Sequence, residues 1–394
     1  MTALELTLVL LAAAVIAVVA LRAFGAPPLV AYLAVGVVIG PHAAGLSGDA
    51  ETTHGLGEIG VVFLMFSLGL EFSLPKFMAL KRHVFGLGAA QVGTTMAISF
   101  GALVIMPVTW LVLLFPGGMD WRAAIAVSGA VAMSSTALVS KLLAERRELE
   151  TDHGQRVFSV LLFQDLAVIP LLILIPALAS GDQDWWMNLA LALFKAVCLL
   201  TILLRFGPPL MRRWFSLVAR QRSHEVFTLN VLLATLLFAW LTKKFGLSME
   251  LGAFVAGMLI AETEFRYQVE EDIKPFRDVL LGLFFVTVGM QLDLAVLVQY
   301  WPQVIALLLV PVMAKFGLVL LLVRLLGGTA GTAIRTGLWL AQAGEFGFVL
   351  LSLAFGTGLL AESTMQPALA AMLLSLLISP LLISQANRIA LRAS

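Results

Sequence analysis

Residues 156–179 read RVFSVLLFQDLAVIPLLILIPALA. The run is long enough to cross a bilayer as one helix, yet Gln164 and Asp165 sit near its centre with Ser159 as their polar neighbour. An ionisable group at such depth costs about 2.5–3.5 kcal/mol on insertion scales, so its presence asks for a function. Two readings fit. Asp165 is a helix-packing carboxylate hydrogen-bonded to a neighbour, or it binds either a proton or a metal cation. A carboxylate withdrawn from water needs a counter-charge, and competition of proton and cation for that one place is sufficient for exchange.

Outward from this segment the chain is apolar almost throughout. Of its 394 residues 60% are hydrophobic and 12% charged, with a mean hydropathy of +1.00; soluble domains carry roughly twice that charge. This excludes a soluble enzyme, a disulfide-built secreted domain and a nucleic-acid binder. The lone Cys198 permits no intrachain disulfide. Thirteen candidate spans follow one another at roughly 4–22, 28–40, 57–73, 84–115, 121–143, 156–179, 187–206, 225–242, 248–262, 278–296, 301–324, 333–358 and 364–386. The first is preceded by no positive charge, unlike a cleaved signal peptide. Of the 25 Lys and Arg residues, 20 fall in the odd-numbered connections and the C-terminal tail, and Arg122, Lys243 and Lys244 in the even ones. Basic residues stay on the cytoplasmic side, which predicts the N-terminus outside, the C-terminus inside and an odd number of spans.

Two pairs of segments repeat. FGAPPLVAYLAVGVVIGP (24–41) parallels FGLSMELGAFVAGMLIAE (245–262) at an offset of 221, and VFLMFSLGLEFSL (62–74) parallels GLFFVTVGMQLDL (282–294) at an offset of 220. The copies lie seven spans apart and cross in opposite senses. This predicts a 6+1+6 inverted repeat, with residues 1–183 as the first half, 184–223 as a linking helix and 224–394 as the inverted half. Inverted repeats are a transporter device that places the site at the repeat interface near the midplane.

Other polar residues inside spans join Asp165. Ser134, Ser135 and Thr136 are adjacent in the fifth span; they either back-bond to their own helix or mark a break whose carbonyls and hydroxyls coordinate a cation. In the twelfth span AQAGEFGF places Gln342, Gly344 and Glu345 at similar depth, as a second break or, for Glu345, a helix-pairing group. Lys315, in the eleventh span, needs an anionic partner, with Asp165 the first candidate and Glu345 the second. Lys195 belongs to the linking helix and snorkels or packs there. The five histidines show no metal-ligand spacing. With no P-loop, dinucleotide fingerprint or TVGYG filter, no cofactor is expected.

With these residues in view, the chain resembles the monovalent cation:proton antiporter-2 family, and within it the Kef-type potassium efflux systems. SVLLFQDLAVIPLL carries the likeness most specifically, its Gln164-Asp165 pair standing where sodium-selective electrogenic relatives tend to have Asp-Asp. The runs Ser134-Ser135-Thr136, Gly344-Glu345-Phe346 and Asp272 to Met290 also match. The resemblance implies an all-α polytopic protein with the sodium/proton-exchanger fold: thirteen transmembrane helices, with crossed broken helices in spans five and twelve. Core helices (about 84–179 and 301–386) would slide against panel helices (about 4–73 and 225–296) that also form a homodimer. It further implies electroneutral 1:1 exchange of potassium or sodium for a proton at Asp165, with Lys315 as charge partner, in the bacterial inner membrane. Two departures stand out. Where glutathione-gated members carry a loop reading HALESD, this chain has Tyr267-Gln268-Val269-Glu270-Glu271-Asp272, which lacks the histidine; the acidic loop Glu270, Glu271 and Asp272 is a candidate dock for a regulatory domain. Such members also continue into a cytosolic nucleotide-binding domain, whose place would be after Ser394. A ligand-gated cation channel on the same scaffold and a non-transporting membrane sensor are the competing readings.

Overall fold

Backbone amides inside a bilayer must be paired within the protein, in helices or closed barrels, and here the regular structure of the described residues is helical, without a strand among them. The computed structural model describes residues 3–22, 28–41, 50–71, 82–105, 115, 119–179, 185–245, 247–290 and 292–393. Lys76 and Lys81, two of the 20 basic residues that set the expected orientation, and residues 106–114 of the fourth segment lie outside them. In chain order the helices are α1 (Ala3–Arg22), α2 (Pro28–Ile39), α3 (Ala50–Glu71), then a π-helical turn (Val84–Gly88) that runs into α4 (Ala89–Ile105). There follow α5 (Trp121–Ala132), α6 (Thr136–Glu145), α7 (Asp152–Ala179) and α8 (Trp185–Ala219). The remainder comprises α9 (His224–Lys244), α10 (Met249–Ala261), α11 (Arg266–Met290), α12 (Leu294–Gln299), α13 (Trp301–Leu325), α14 (Ala330–Leu340), α15 (Glu345–Gly356) and α16 (Glu362–Ala393). Five helices among the described residues are long and apolar enough to cross a membrane, or seven if each of two bent pairs is one span. Prolines within α7, α8, α13 and α16 do not end them, as is common where neighbouring helices re-satisfy the freed carbonyl.

The helices pack in two groups. In the first, α3 lies against α10 and α11, α2 against α1 and α11, and α9 against α10. Small residues let these backbones meet. A Cβ on Gly36 of α2 would lie 2.0 Å from the Val286 carbonyl oxygen of α11, and one on Gly289 would lie 2.2 Å from that of Leu33. Between α3 and α10 the same contact recurs: a Cβ on Gly257 would lie 2.1 Å from the Phe66 oxygen, and one on Gly69 would lie 2.0 Å from that of Phe254. The offsets of 221 and 220 carry Leu33, Gly36, Phe66 and Gly69 onto Phe254, Gly257, Val286 and Gly289. Each glycine and its acceptor therefore exchange places with their sequence equivalents.

The second group holds the π turn and α4–α7 with α13–α16. α4 packs on α5, α13 on α14, α16 on α13 and α14, and α7 on α14 and α15. At the basic ends of these helices, His153 Nε2 lies 2.9 Å from Glu148 Oε2, Asn387 donates to Glu148 Oε1 (3.4 Å) and Arg335 donates to Asn387 (2.8 Å). α8 touches both groups, through α10 and α7.

One expectation is corrected here. Tyr267 to Asp272 is no loop but the opening of α11, whose helix runs through Pro275. Glu270 and Glu271 are good helix formers, and Asp272 is held against the start of α9, 3.5 Å from His224 Nδ1 and accepting from the Thr228 hydroxyl (3.4 Å).

Candidate functional site

The site forms where two helices stop. α5 ends at Ala132, Met133 turns to extended backbone (φ −78°, ψ 141°), and Ser135 caps α6 by accepting the Leu138 N–H at 3.2 Å. Such a hydroxyl cap satisfies one of the orphan donors of a helix start. α14 ends at Leu340, and α15 begins at Glu345 after Gly344 (φ −127°, ψ 170°), the two halves bent by 43°. The breaks touch: a Cβ on Gly344 would lie 2.3 Å from the Ser134 carbonyl carbon.

Two helix C-termini thus converge in the interior, bringing carbonyls that lack intrahelical partners and the negative ends of two helix dipoles. Side chains answer them individually. The Lys315 ammonium donates to Met133 O (2.7 Å) and Gln342 O (3.1 Å), bridging the end of one half-helix to the end of the other. The Ser134 hydroxyl donates to Leu340 O (2.8 Å) and the Gln91 amide to Ala132 O (3.2 Å). Lys315 is 2% exposed. The ammonium that the sequence offered to Asp165 or Glu345 is hydrogen-bonded to main-chain oxygens.

α7 passes beside this crossing and contributes two neighbouring side chains with separate tasks. Gln164, fully buried, accepts the Ser134 N–H at 2.8 Å and donates to Gln91 Oε1 (2.8 Å) and Ser134 Oγ (3.3 Å). Gln91 in turn donates to Thr95 (3.1 Å). The amide chain clamps α4, α7 and the first break together. Asp165, 7% exposed, accepts the Thr136 hydroxyl at 3.0 Å in the first turn of α6, where the positive end of that helix favours a negative charge.

The structure therefore brings Ser134, Ser135, Thr136, Gln164, Asp165, Lys315, Gln342 and Gly344 to one crossing. Glu345 lies there too, buried in the first turn of α15. The Gln342 side-chain amide is fully buried, with neither its nitrogen nor its oxygen hydrogen-bonded among the described residues. Glu270, Glu271 and Asp272 belong to the other helix group. Lys195 is exposed on α8. Gln91 escaped the sequence reading, which weighed ionisable groups and the hydroxyl run; an amide inside the fourth apolar segment was the available signal. A Thr136 hydroxyl can donate to a bare carboxylate or turn a lone pair to a cation, so the pair Asp165–Thr136 can hold a proton or a partly dehydrated monovalent cation.

A buried carboxylate beside two meeting helix breaks is a place where a cation or a proton can be held, and the chain belongs to the family described as sodium/hydrogen exchanger, transmembrane, which it matches over residues 9–386. Two relatives narrow this. The chain is 40% identical over 380 residues to "K(+) efflux antiporter 1, chloroplastic" of Arabidopsis thaliana, covering 93% of this chain and 31% of that protein. It is 42% identical over 358 residues to "Putative K(+) efflux antiporter KefB" of Alkalimonas amylolytica, covering 91% and 52%. Their names agree with the Kef-type resemblance, although the chain spans from about a third to a half of their length. The sodium proton antiporter MjNhaP1 from Methanocaldococcus jannaschii shares the fold, with a TM-score of 0.71, 16% identity and coverage of 99% of this chain and 97% of that one.

Proposed function

We propose that the chain is the membrane domain of a secondary antiporter that exchanges a monovalent cation, potassium in the first instance, for a proton across the bacterial inner membrane. The observation that carries this reading is Asp165 bonded to Thr136 beside the Ser134–Gly344 crossing. One carboxylate that holds either ion, never both, gives electroneutral 1:1 exchange. Gln164 supplies no second charge, and its carbonyl and amide are committed to Ser134 and Gln91; it positions Asp165 and the break. Lys315 compensates the two half-helix ends and so keeps the crossing intact whether Asp165 is charged or not. The potassium assignment rests on the names of the relatives.

In this reading thirteen helices cross the membrane as six, a linking α8 and six inverted, with the N-terminus outside. The reciprocal glycine contacts support the inverted repeat, because two equivalent halves would make the same contact twice with exchanged partners. The group of α4–α7 and α13–α16 is the mobile core, and α1–α3 with α9–α11 is the panel that pairs two protomers. A sliding movement of the core would open Asp165 to either side in turn. The acidic face at the start of α11 would receive a nucleotide-binding regulatory domain.

The experiment is exchange in proteoliposomes. The wild-type chain should move protons against an imposed potassium gradient without net current, and Asp165→Asn should abolish this while the protein still elutes as a folded species. Full proton-coupled exchange in Asp165→Asn would remove Asp165 from the mechanism. A sustained current would favour the channel reading, and a faster response to sodium would reassign the cation.

A further inference from the structure

The C-terminal half of α8 is amphipathic in an unusual way. One face is fixed: Met211, Phe215 and Val218 are buried, with the Phe215 ring 5.6 Å from Phe227 and 5.9 Å from Phe265. Gly207 meets Leu259 of α10 closely enough that a Cβ would lie 2.7 Å from it. The outward side of this stretch holds a cavity of about 480 Å³, lined by Arg212, Arg213, Ser216, Leu217, Arg220 and Glu264 among others. Arg212 is engaged, with its Nε 3.2 Å from Glu264 Oε2 and a hydrogen bond to Glu262 O (3.1 Å). Arg213 and Arg220 line the same cavity seven residues apart, and both are exposed, their guanidinium groups with neither hydrogen bond nor ion pair among the described residues. The cavity thus gathers three guanidinium groups against one carboxylate. Leu217 is exposed within this cavity (53%), and on the side towards the membrane interior the helix exposes Leu210 and Phe206 (60% and 65%).

We propose that this groove binds the headgroup of an anionic phospholipid from the leaflet on the basic side of the membrane. The phosphate would lie between Arg213 and Arg220, whose forked donors match its oxygens, and an acyl chain would descend over Leu217, Leu210 and Phe206. Basic pockets between helices at that depth are where anionic headgroups settle. A free phosphate could use the guanidinium groups but not the apolar strip, and the strip is what assigns the site to a lipid. Because α8 touches both helix groups, a lipid seated here would bear on the element that joins them.

The test uses the full chain, delipidated in detergent, with phosphatidylglycerol and phosphatidylcholine as probes and native mass spectrometry as readout. The wild-type chain should retain one phosphatidylglycerol per protomer more than Arg213→Gln/Arg220→Gln, with affinity falling by about thirty-fold for the two lost charges. Phosphatidylcholine should bind both proteins equally and weakly. Lys243→Gln/Lys244→Gln, which removes the same charge from the far end of α9, should retain lipid like the wild type, and size-exclusion profiles verify that each variant is folded. Equal retention by the Arg213/Arg220 variant would overturn the proposal and leave these arginines as topology signals. Displacement of the lipid by inorganic phosphate, with equal thermal stabilisation by phosphate alone, would overturn it in favour of a free anion.

Discussion

Lys315 and Gln91 show how buried polar residues tie the helix breaks together. Lys315 stands at the meeting of two helix C-termini and donates to a carbonyl from each. Hydrogen bonds to a charged group contribute about 1.5–3 kcal/mol apiece, so Lys315→Gln should lose about 3 kcal/mol or more, seen as a lowered melting temperature in detergent. Gln91→Leu should have a different signature. It removes a donor from Ala132 O and an acceptor from Gln164, leaving buried groups unpaired at about 1–3 kcal/mol. The freed Gln164 would loosen Ser134, so the half-saturating cation concentration in transport assays should rise more than the maximal rate falls. Asp165 was legible in the sequence because a charge inside an apolar run has few explanations. Lys315 was legible as functional but not in its bonding, since sequence displays charges and conceals which helix ends point at them. Gln91 carries no charge, and its importance lies in spacing across α4, α5 and α7 that only packing creates.

At the scale of elements, both helix breaks follow from residue chemistry. Ser135 offers an oxygen to the α6 amides, and Gly344 leaves room for the Ser134 main chain where any Cβ would collide. Gly344→Ala should therefore push the breaks apart, cost about 1–3 kcal/mol as overpacking does, and abolish exchange, whereas Gly101→Ala, at a position with open space around it, should leave both melting and exchange unchanged. The hydroxyl run and the Gly-Glu-Phe-Gly run announced these breaks in the sequence. The start of α11 was harder to read. A known loop motif suggested a loop at Tyr267 to Asp272, yet the local composition of helix formers prevailed, and the helix continues through Pro275. The basic tie of Glu148, His153, Asn387 and Arg335 was also hidden, because its members come from three stretches of chain far apart in sequence.

For the whole molecule, the reciprocal contacts of Gly36 with Gly289 and Gly69 with Gly257 are the strongest sign of two equivalent halves. Gly36→Ala and Gly257→Ala should destabilise by similar amounts, about 1–3 kcal/mol each, measured by thermal melting, and a large difference between them would argue against equivalence. In the sequence the likeness was two short stretches at nearly one offset; packing places their glycines in contacts with exchanged partners. Exchange itself makes the most demanding claim, that proton and cation share Asp165 and never occupy it together. The direct test is the half-saturating potassium concentration of the wild-type chain in proteoliposomes, measured across a pH series. Competition at one carboxylate predicts that it rises in proportion to proton concentration at low pH while the maximal rate at saturating potassium stays constant. A half-saturating concentration independent of pH would contradict the account.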